Sequence, residues 1–431
     1  MNEALILALV FAALLFAGVP IAFAIGSAAV AALLMSLDPA AATTVIAQRM
    51  ATGLDSFALL AIPFFILSGQ LMNRGGIARR LIDLAKVIVG RLPGGLAYVN
   101  ILGSMLFGSI SGSAVAAAAA IGGTMTPMMK REGYNREFAA AVNISAAPIG
   151  LLIPPSNIMV VYSLASGGVS IAALFLAGYV PGIVLGLALM VVVAVLAKRH
   201  GYPVGEKVGL SDSIRIFFGS LPSLLLVAIV MGGIIMGWFT PTEASAIAVA
   251  YTFVLSVVIY REIKWSELPH LLTDSAATTA IVLLLVGTSM GMSWVMSSAN
   301  IPQTITATIL SITENPILLL LIINALLLVV GCFMDMTPAV LIFTPILLPI
   351  VQKFGMSPLH FGLVLIFNLC IGLCTPPVGS CLFVGCGVAG TTIAKVWRPL
   401  LPFFFAMFAV LMAVTYWPAL SLALPHALGF K

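Results

Sequence analysis

The sequence predicts an all-α polytopic membrane protein built as an inverted repeat, with two re-entrant helical hairpins and two broken helices. Three observations carry this reading: an apolar composition, basic residues confined to one set of loops, and a seven-residue motif that recurs half a chain later. Of 431 residues 61% are apolar and 8% charged, at a mean hydropathy of +1.19, whereas a soluble domain is about one quarter charged. Nineteen Lys and Arg with 14 Asp and Glu cannot coat a globule of 44.9 kDa. A soluble enzyme, a disordered chain and a secreted disulfide scaffold are thereby excluded. Apolar runs of about twenty residues indicate helices, not the short alternating strands of a β-barrel.

Apolar runs fall near 3–36, 54–72, 94–128, 137–165, 170–197, 216–237, 241–260, 273–298, 315–350, 358–388 and 396–423. Roughly 20 helical residues cross a bilayer, so 3–36, with Pro20 at its centre, reads as two short helices. Its start, MNEALILALV, lacks the basic region of a cleavable signal. The runs 94–128 and 315–350 are also too long for one crossing, and small, Gly-rich or Pro-rich sequence breaks each. They read as two crossings or as a re-entrant hairpin. The five cysteines, between Cys332 and Cys386, form no CxxC pair and read as small buried side chains.

The net charge of +5 does not gather into one patch, which argues against a nucleic-acid partner. Sixteen of the 19 basic residues share one set of loops: Arg74, Arg79, Arg80, Lys86 and Arg91; Lys130, Arg131 and Arg136; Lys198, Arg199, Lys207 and Arg215; Arg261 and Lys264; Lys395 and Arg398. Arg49, Lys353 and Lys431 fall on the other side. The positive-inside rule puts the first set in the cytoplasm and both termini outside. The two long runs must then leave and return on one side each, 94–128 from the cytoplasm and 315–350 from the opposite face. Hairpins entering from opposite faces imply an inverted repeat.

The repeat is visible directly. IGLLIPP, Ile149–Pro155, recurs as IGLCTPP, Ile371–Pro377, at an offset of 222 residues. Over 127–172 an ungapped match at that offset has 12 identities in 46 positions, against ~4 expected by chance for such a composition. The organisation read from it has four parts: 1–92, scaffold helices and an arm; 93–197, a hairpin and a broken helix; 198–272, scaffold helices and a second arm; and 273–431, the remainder, with a hairpin near 315–350 and a broken helix near 358–388. The amphipathic stretches 76–91 and 262–272 are the expected arms.

Pro-Pro inside a span removes two backbone donors and opens the preceding turn. Freed carbonyls are costly in lipid unless they line a polar site or bind a cation. Here the break occurs twice, at Gly150–Pro155 and Gly372–Pro377, and paired discontinuous helices are the architecture of secondary transporters. The first hairpin tip, Gly108–Gly123, carries Ser109, Ser111 and Ser113 among small residues; it suits ion binding or close helix packing. At the 222 offset Ser113 meets Asp335 in GCFMDMTP, Gly331–Pro338. Asp335 is the one carboxylate placed well inside the membrane, and it reads as a site residue or a helix cap. Asp55, Glu243 and Asp274 fall near span ends and read as caps or interface residues. FTPTEA, Phe239–Ala244, reads as an external turn with an N-cap. No HExxH, GxSG order or P-loop is present, and the four histidines lie near loops or ends. The chain therefore reads as a transporter, not an enzyme, and no organic cofactor is called for.

LLAIPFFILSGQLMNRGG (Leu59–Gly76), SGSAVA (Ser111–Ala116), IPPSN (Ile153–Asn157), FTPTEA and TPPVG (Thr375–Gly379) carry a family likeness. Over essentially its whole length the chain resembles the DctM/SiaM-like large membrane subunit of tripartite ATP-independent periplasmic (TRAP) transporters. The resemblance implies an elevator-type, ion-transporter-like fold in the bacterial inner membrane and coupling to Na⁺. It implies a small four-helix membrane partner and a periplasmic substrate-binding protein. It also implies acidic substrates such as C4-dicarboxylates, sialic acid or other sugar acids. One sodium site would use Ser109 and Ser113 with Gly150 and Pro154; the second would use Gly331, Asp335 and Thr337 with Gly372 and Thr375. Substrate would lie near Ser111, Ser113, Ser156, Asn157, Asp335 and Thr375. Several relatives carry an acidic residue after SGSAVA where this chain has Ala117, so the substrate class does not carry over. A stand-alone ion-coupled carboxylate transporter and a structural subunit of a membrane complex are the competing readings.

Overall fold

The computed structural model describes residues 3–205, 209–313 and 315–430, so Lys207 and Lys431 of the basic set lie outside the described residues. The first apolar run divides at Pro20, whose backbone is extended, into α1 (Glu3–Phe16) and α2 (Ile21–Leu33). α3 (Pro39–Leu54) was not expected from the apolar runs. Asp38 starts it, its Oδ1 accepting from the amides of Ala40 and Ala41 at 3.0 Å each. Only Ala42 and Ile46 are buried, so its sequence looks polar.

A 3₁₀ turn, Phe57–Leu60, leads into α4 (Ala61–Arg74). The amphipathic α5 (Ile77–Val89) buries Ile77, Leu81, Ile82 and Ala85 on one face. The run 94–128 is a helix–turn–helix, α6 (Gly95–Ser111) and α7 (Ala114–Arg131). Gly112, at φ +61, makes the turn between them, a left-handed conformation that glycine adopts without a side-chain clash. The first broken helix comprises α8 (Arg136–Ala146), α9 (Ile149–Leu152) and α10 (Asn157–Ala165), bent by 53° at Pro154–Pro155. α11 (Ile171–His200) closes the first half.

The second half begins with α12 (Leu210–Ile235) and α13 (Pro241–Phe253), the latter ending in a π-helical stretch, Val254–Ile259. FTPTEA forms the expected cap: Thr240 N donates to Glu243 Oε2 at 2.8 Å, and Glu243 N donates to Thr240 Oγ1 at 3.3 Å. α14 (Leu268–Ser298) and α15 (Ile301–Ile312) precede the second hairpin, α16 (Pro316–Phe333) and α17 (Met336–Lys353). α18 (Pro358–Gly372) and α19 (Ser380–Ala389) make the second broken helix, and α20 (Ile393–Tyr416) and α21 (Ala419–Ala427) end the chain. Among the described residues eight helices are long and apolar enough to cross a membrane, or nine if the bent pair counts as one span.

Helix boundaries recur at the 222-residue offset. α7 and α17 start at 114 and 336, α8 and α18 at 136 and 358, α11 and α20 at 171 and 393. Packing exchanges between the halves: α2 lies on α14 and α4 on α13, while α10 lies on α17 and α19 on α7. α1–α4 and α12–α14 form one group of helices, and α6–α11 and α16–α21 another. α5 touches both groups through α6 and α12, and α15 touches both through α17 and α14.

The stretch 262–272, expected as the second arm, does not form a helix of its own. It is a 3₁₀ turn, Trp265–Glu267, that runs straight into α14, so the boundary at 272 falls inside one continuous helix of 31 residues. α15 is the helix in register with α5. Asp274 at the start of α14 pairs with Arg74 at the end of α4, Oδ2 to Nη2 at 2.7 Å, and takes His270 Nδ1 at 2.9 Å. Asp55 is the C-cap residue of α3. All five cysteines are free thiols, four of them buried.

A buried polar chain fastens α16, α18 and α20 together. Asn368 Nδ2 donates to Asn324 Oδ1 at 2.6 Å, and Asn324 Nδ2 donates to Thr415 Oγ1 at 3.2 Å. Replacing Asn368 with Leu strands Asn324 Oδ1 in an apolar interior. The variant is expected to lose about 1–3 kcal/mol, read as a lower unfolding midpoint of the purified protein. An unchanged midpoint would show that the chain is dispensable.

Candidate functional site

Both hairpin turns and both broken helices converge on one open cavity of about 710 Å³. Hairpin 1 contributes Gly112, Ser113, Ala114 and Val115; hairpin 2 contributes Asp335, Met336 and Thr337. The broken helices add Leu151, Asn157, Ile158, Val161 and Leu373. Ile62 and Ile66 of α4 with Thr278 and Val282 of α14 form the facing wall. The site thus lies between the two helix groups.

Contacts between glycines set how closely the hairpins approach the broken helices. A methyl group at Gly150 would stand 2.2 Å from Gly108 Cα and 2.9 Å from Ser109 N. In the second half a methyl group at Gly372 would stand 2.5 Å from Gly331 Cα. Neither crossing admits a side chain, so each hairpin's first helix meets its broken helix backbone to backbone. Val378 N also donates to Cys332 O at 3.2 Å across the second crossing. The peptide bonds Pro154–Pro155 and Pro376–Pro377 are both cis.

Three helix N-termini face the cavity: α7 at Ala114, α10 at Asn157 and α17 at Met336. First-turn amides lack partners within the helix and carry partial positive charge. At α7 the Ser113 hydroxyl accepts from Ala116 N at 3.2 Å. Ser156 at α10 and Asp335 at α17 make no such side-chain cap. The capping alternative for Asp335 is therefore not realised, and its carboxylate stands exposed at the cavity. No Lys or Arg is among the cavity-lining residues.

The structure brings Ser113, Asn157, Asp335 and Thr337 to the cavity itself. Ser109, Gly150, Gly331 and Gly372 lie behind it at the two crossings, and Pro154 at the first bend. Ser109 Oγ donates to Leu106 O at 2.9 Å and Thr375 Oγ1 to Ile371 O at 2.8 Å, which leaves each hydroxyl oxygen able to accept or ligate. Ser111, Ser156 and Thr375 do not line the cavity. Ser156 is fully buried with an unpartnered hydroxyl, and a methyl group at Gly69 of α4 would stand 2.6 Å from Ser111 O. Sequence reasoning missed the wall residues Ile62, Ile66, Thr278 and Val282. The usable signal was the hydroxyl pair Thr278–Thr279 inside the apolar α14.

The donor set is made of hard oxygen ligands. Among the described residues no group of three or more His, Cys, Asp or Glu could hold a metal ion. What the crossings offer is backbone carbonyls, the hydroxyls of Ser109 and Thr375, and one free carboxylate, oxygen ligands of the type alkali and alkaline-earth ions take.

The family described as "Tripartite ATP-independent periplasmic transporter, DctM component" matches residues 8–420. The chain is 59% identical to the uncharacterized protein YgiK of Salmonella typhimurium over 96% of this chain and 95% of that one. It is 41% identical to the C4-dicarboxylate TRAP transporter large permease protein DctM of Pseudomonas aeruginosa, over 88% of each chain. It is 38% identical to the sialic acid TRAP transporter large permease protein SiaM of Vibrio cholerae, over 96% of each. Among solved structures the YdaH transporter of Alcanivorax borkumensis superposes with a TM-score of 0.67 at 13% identity, covering 90% of each chain, a likeness of fold alone.

Proposed function

The chain belongs to the DctM component of the tripartite ATP-independent periplasmic transporters, and from that premise we propose that it is the large permease of a sodium-coupled importer of an acidic organic solute. The observation that carries the substrate charge is the convergence of three helix N-termini on a cavity without Lys or Arg. Such amides attract a carboxylate where no side-chain cation is offered. The relatives named for C4-dicarboxylate and sialic acid are both carriers of carboxylates, and this chain takes a solute of that class. Na⁺ is the coupling cargo, held by oxygen ligands at the Gly108–Gly150 and Gly331–Gly372 crossings, with Asp335 at the second. Bound there, it offsets the like charges of Asp335 and the solute carboxylate.

Movement follows the division into two helix groups. α1–α4 and α12–α14 are the scaffold, and the group holding both hairpins slides against it, with α5 and α15 as arms. The halves are antiparallel, the hairpins enter from opposite faces, and both termini are periplasmic, as the basic loops require. The membrane is the bacterial inner membrane. The remaining two components are a small four-helix membrane subunit and a periplasmic binding protein that delivers the solute.

The test is uptake of labelled acids by proteoliposomes holding this chain and its small subunit. Uptake is expected only with an inward Na⁺ gradient and the cognate binding protein together. Sodium-driven uptake without the binding protein would replace this reading with a stand-alone carrier. Folded protein that moves no acid would point to a structural subunit.

A further inference from the structure

A second open cavity, about 1330 Å³, lies where the end of α11 meets the start of α20. We propose that this groove binds an anionic phospholipid of the leaflet on the basic side, with the phosphodiester at Lys395 and Arg398 and an acyl chain along α20. The proposal goes beyond transport and depends on the orientation above only for which leaflet supplies the lipid.

Its mouth is cationic. Lys395 and Arg398 sit in the first two turns of α20, and neither has a carboxylate within 4.0 Å among the described residues. His200, the last residue of α11, lines the same mouth; its Nδ1 lies 2.8 Å from Leu196 O and so donates to it, which leaves Nε2 directed elsewhere. Glu137 is the one opposing carboxylate on the wall. Tyr202 lines the groove beside His200, its ring stacked on His200 at 5.5 Å and on Tyr134 at 4.4 Å.

Below the mouth the groove turns apolar. Pro399 and Pro402 line it, and the same face of α20 continues to Phe405, which is 71% exposed. The neighbouring stripe of α11, Leu187, Val191 and Val195, is exposed as well. Pro399 and Pro402 cannot donate to the carbonyls of Lys395 and Arg398, so two acceptors lie beside the two cations. A lipid whose headgroup joins a phosphate to hydroxyl donors satisfies both sets. Basic mouths between transmembrane helices on the cytoplasmic side are suited to such headgroups.

The probe is phosphatidylglycerol added to the purified chain in zwitterionic detergent, against phosphatidylcholine and inorganic phosphate. Phosphatidylglycerol should raise the unfolding midpoint by roughly 2–5 °C at saturation, phosphatidylcholine and phosphate should not, and the K395Q/R398Q double variant should lose the effect. An equal rise with phosphate would reduce the site to a free-anion site, and an equal rise in the double variant would overturn it. A second readout needs no charge variant. Brominated phosphatidylglycerol should quench the fluorescence that Trp397→Phe removes more strongly than brominated phosphatidylcholine does. Equal quenching by the two lipids overturns the proposal even where the double variant fails to fold.

Discussion

Gly150→Ala is expected to cripple transport while the analogous change at Gly123 leaves it intact. The methyl group at Gly150 has nowhere to go: Gly108 Cα lies 2.2 Å from its position and Ser109 N 2.9 Å. Both are backbone atoms, so relief requires separating hairpin 1 from its broken helix. Overpacking of this kind costs about 1–3 kcal/mol. Applied to the oxygens that would hold Na⁺, it corresponds to about a tenfold to hundredfold loss of apparent sodium affinity. Half-saturating sodium for uptake measures this directly. A methyl group at Gly123, in α7, meets nothing within 4 Å, so Gly123→Ala should match the parent in uptake and in unfolding midpoint. Normal sodium dependence in Gly150→Ala would remove the first crossing from the ion-binding scheme.

Asp335→Asn should separate folding from function more cleanly. Asp335 is exposed, and its side chain caps no helix. Surface changes of that kind usually stay within about 0.5 kcal/mol in stability. Loss of a charged ligand to Na⁺ is a different matter; interactions with charged groups are worth about 1.5–3 kcal/mol, or roughly tenfold to hundredfold in half-saturating sodium. The equivalent Ser113 behaves in the opposite sense. Its hydroxyl caps α7, so Ser113→Ala should cost about 1 kcal/mol in stability with a smaller effect on sodium. Unchanged sodium dependence in Asp335→Asn would disprove its role as an ion ligand.

Features written into local sequence were legible. The paired prolines Pro154–Pro155 and Pro376–Pro377 and the centrally placed Pro20 fall at the breaks, whereas single prolines such as Pro181 and Pro399 sit inside continuous helices. The IGLxxPP pair gives an offset that three pairs of helix starts obey to the residue. Ser113 and Asp335 were matched by that offset alone, and both reach the cavity. Features set by tertiary packing were not legible. α3 shows Thr43, Thr44, Gln48 and Arg49 to the outside and rests on α14 through Ala42 and Ile46, so no apolar run announces it. The stretch 262–272 has the charge of a surface helix, yet Pro269 opens the long α14 there. Ile62 and Val282 look like any lipid-facing residue; only the approach of α4 and α14 to the hairpin turns makes them a wall. Ser156 and Thr375, expected at the substrate, sit beside the bends outside the cavity lining, Ser156 buried and Thr375 partly exposed.

The exchanged packing of the two halves governs how the protein is made. α7 rests on α19 and α4 on α13, so segments from the first half find their mates only in the second. α7 is complete at residue 131, whereas α19 does not begin until residue 380. At bacterial elongation speeds that gap lasts on the order of tens of seconds. Throughout it the Ala-rich face of α7 stands inserted without its partner, next to the half-built cavity. The nascent chain must therefore keep that face sheltered until residue 380 and the helix that follows it have been made.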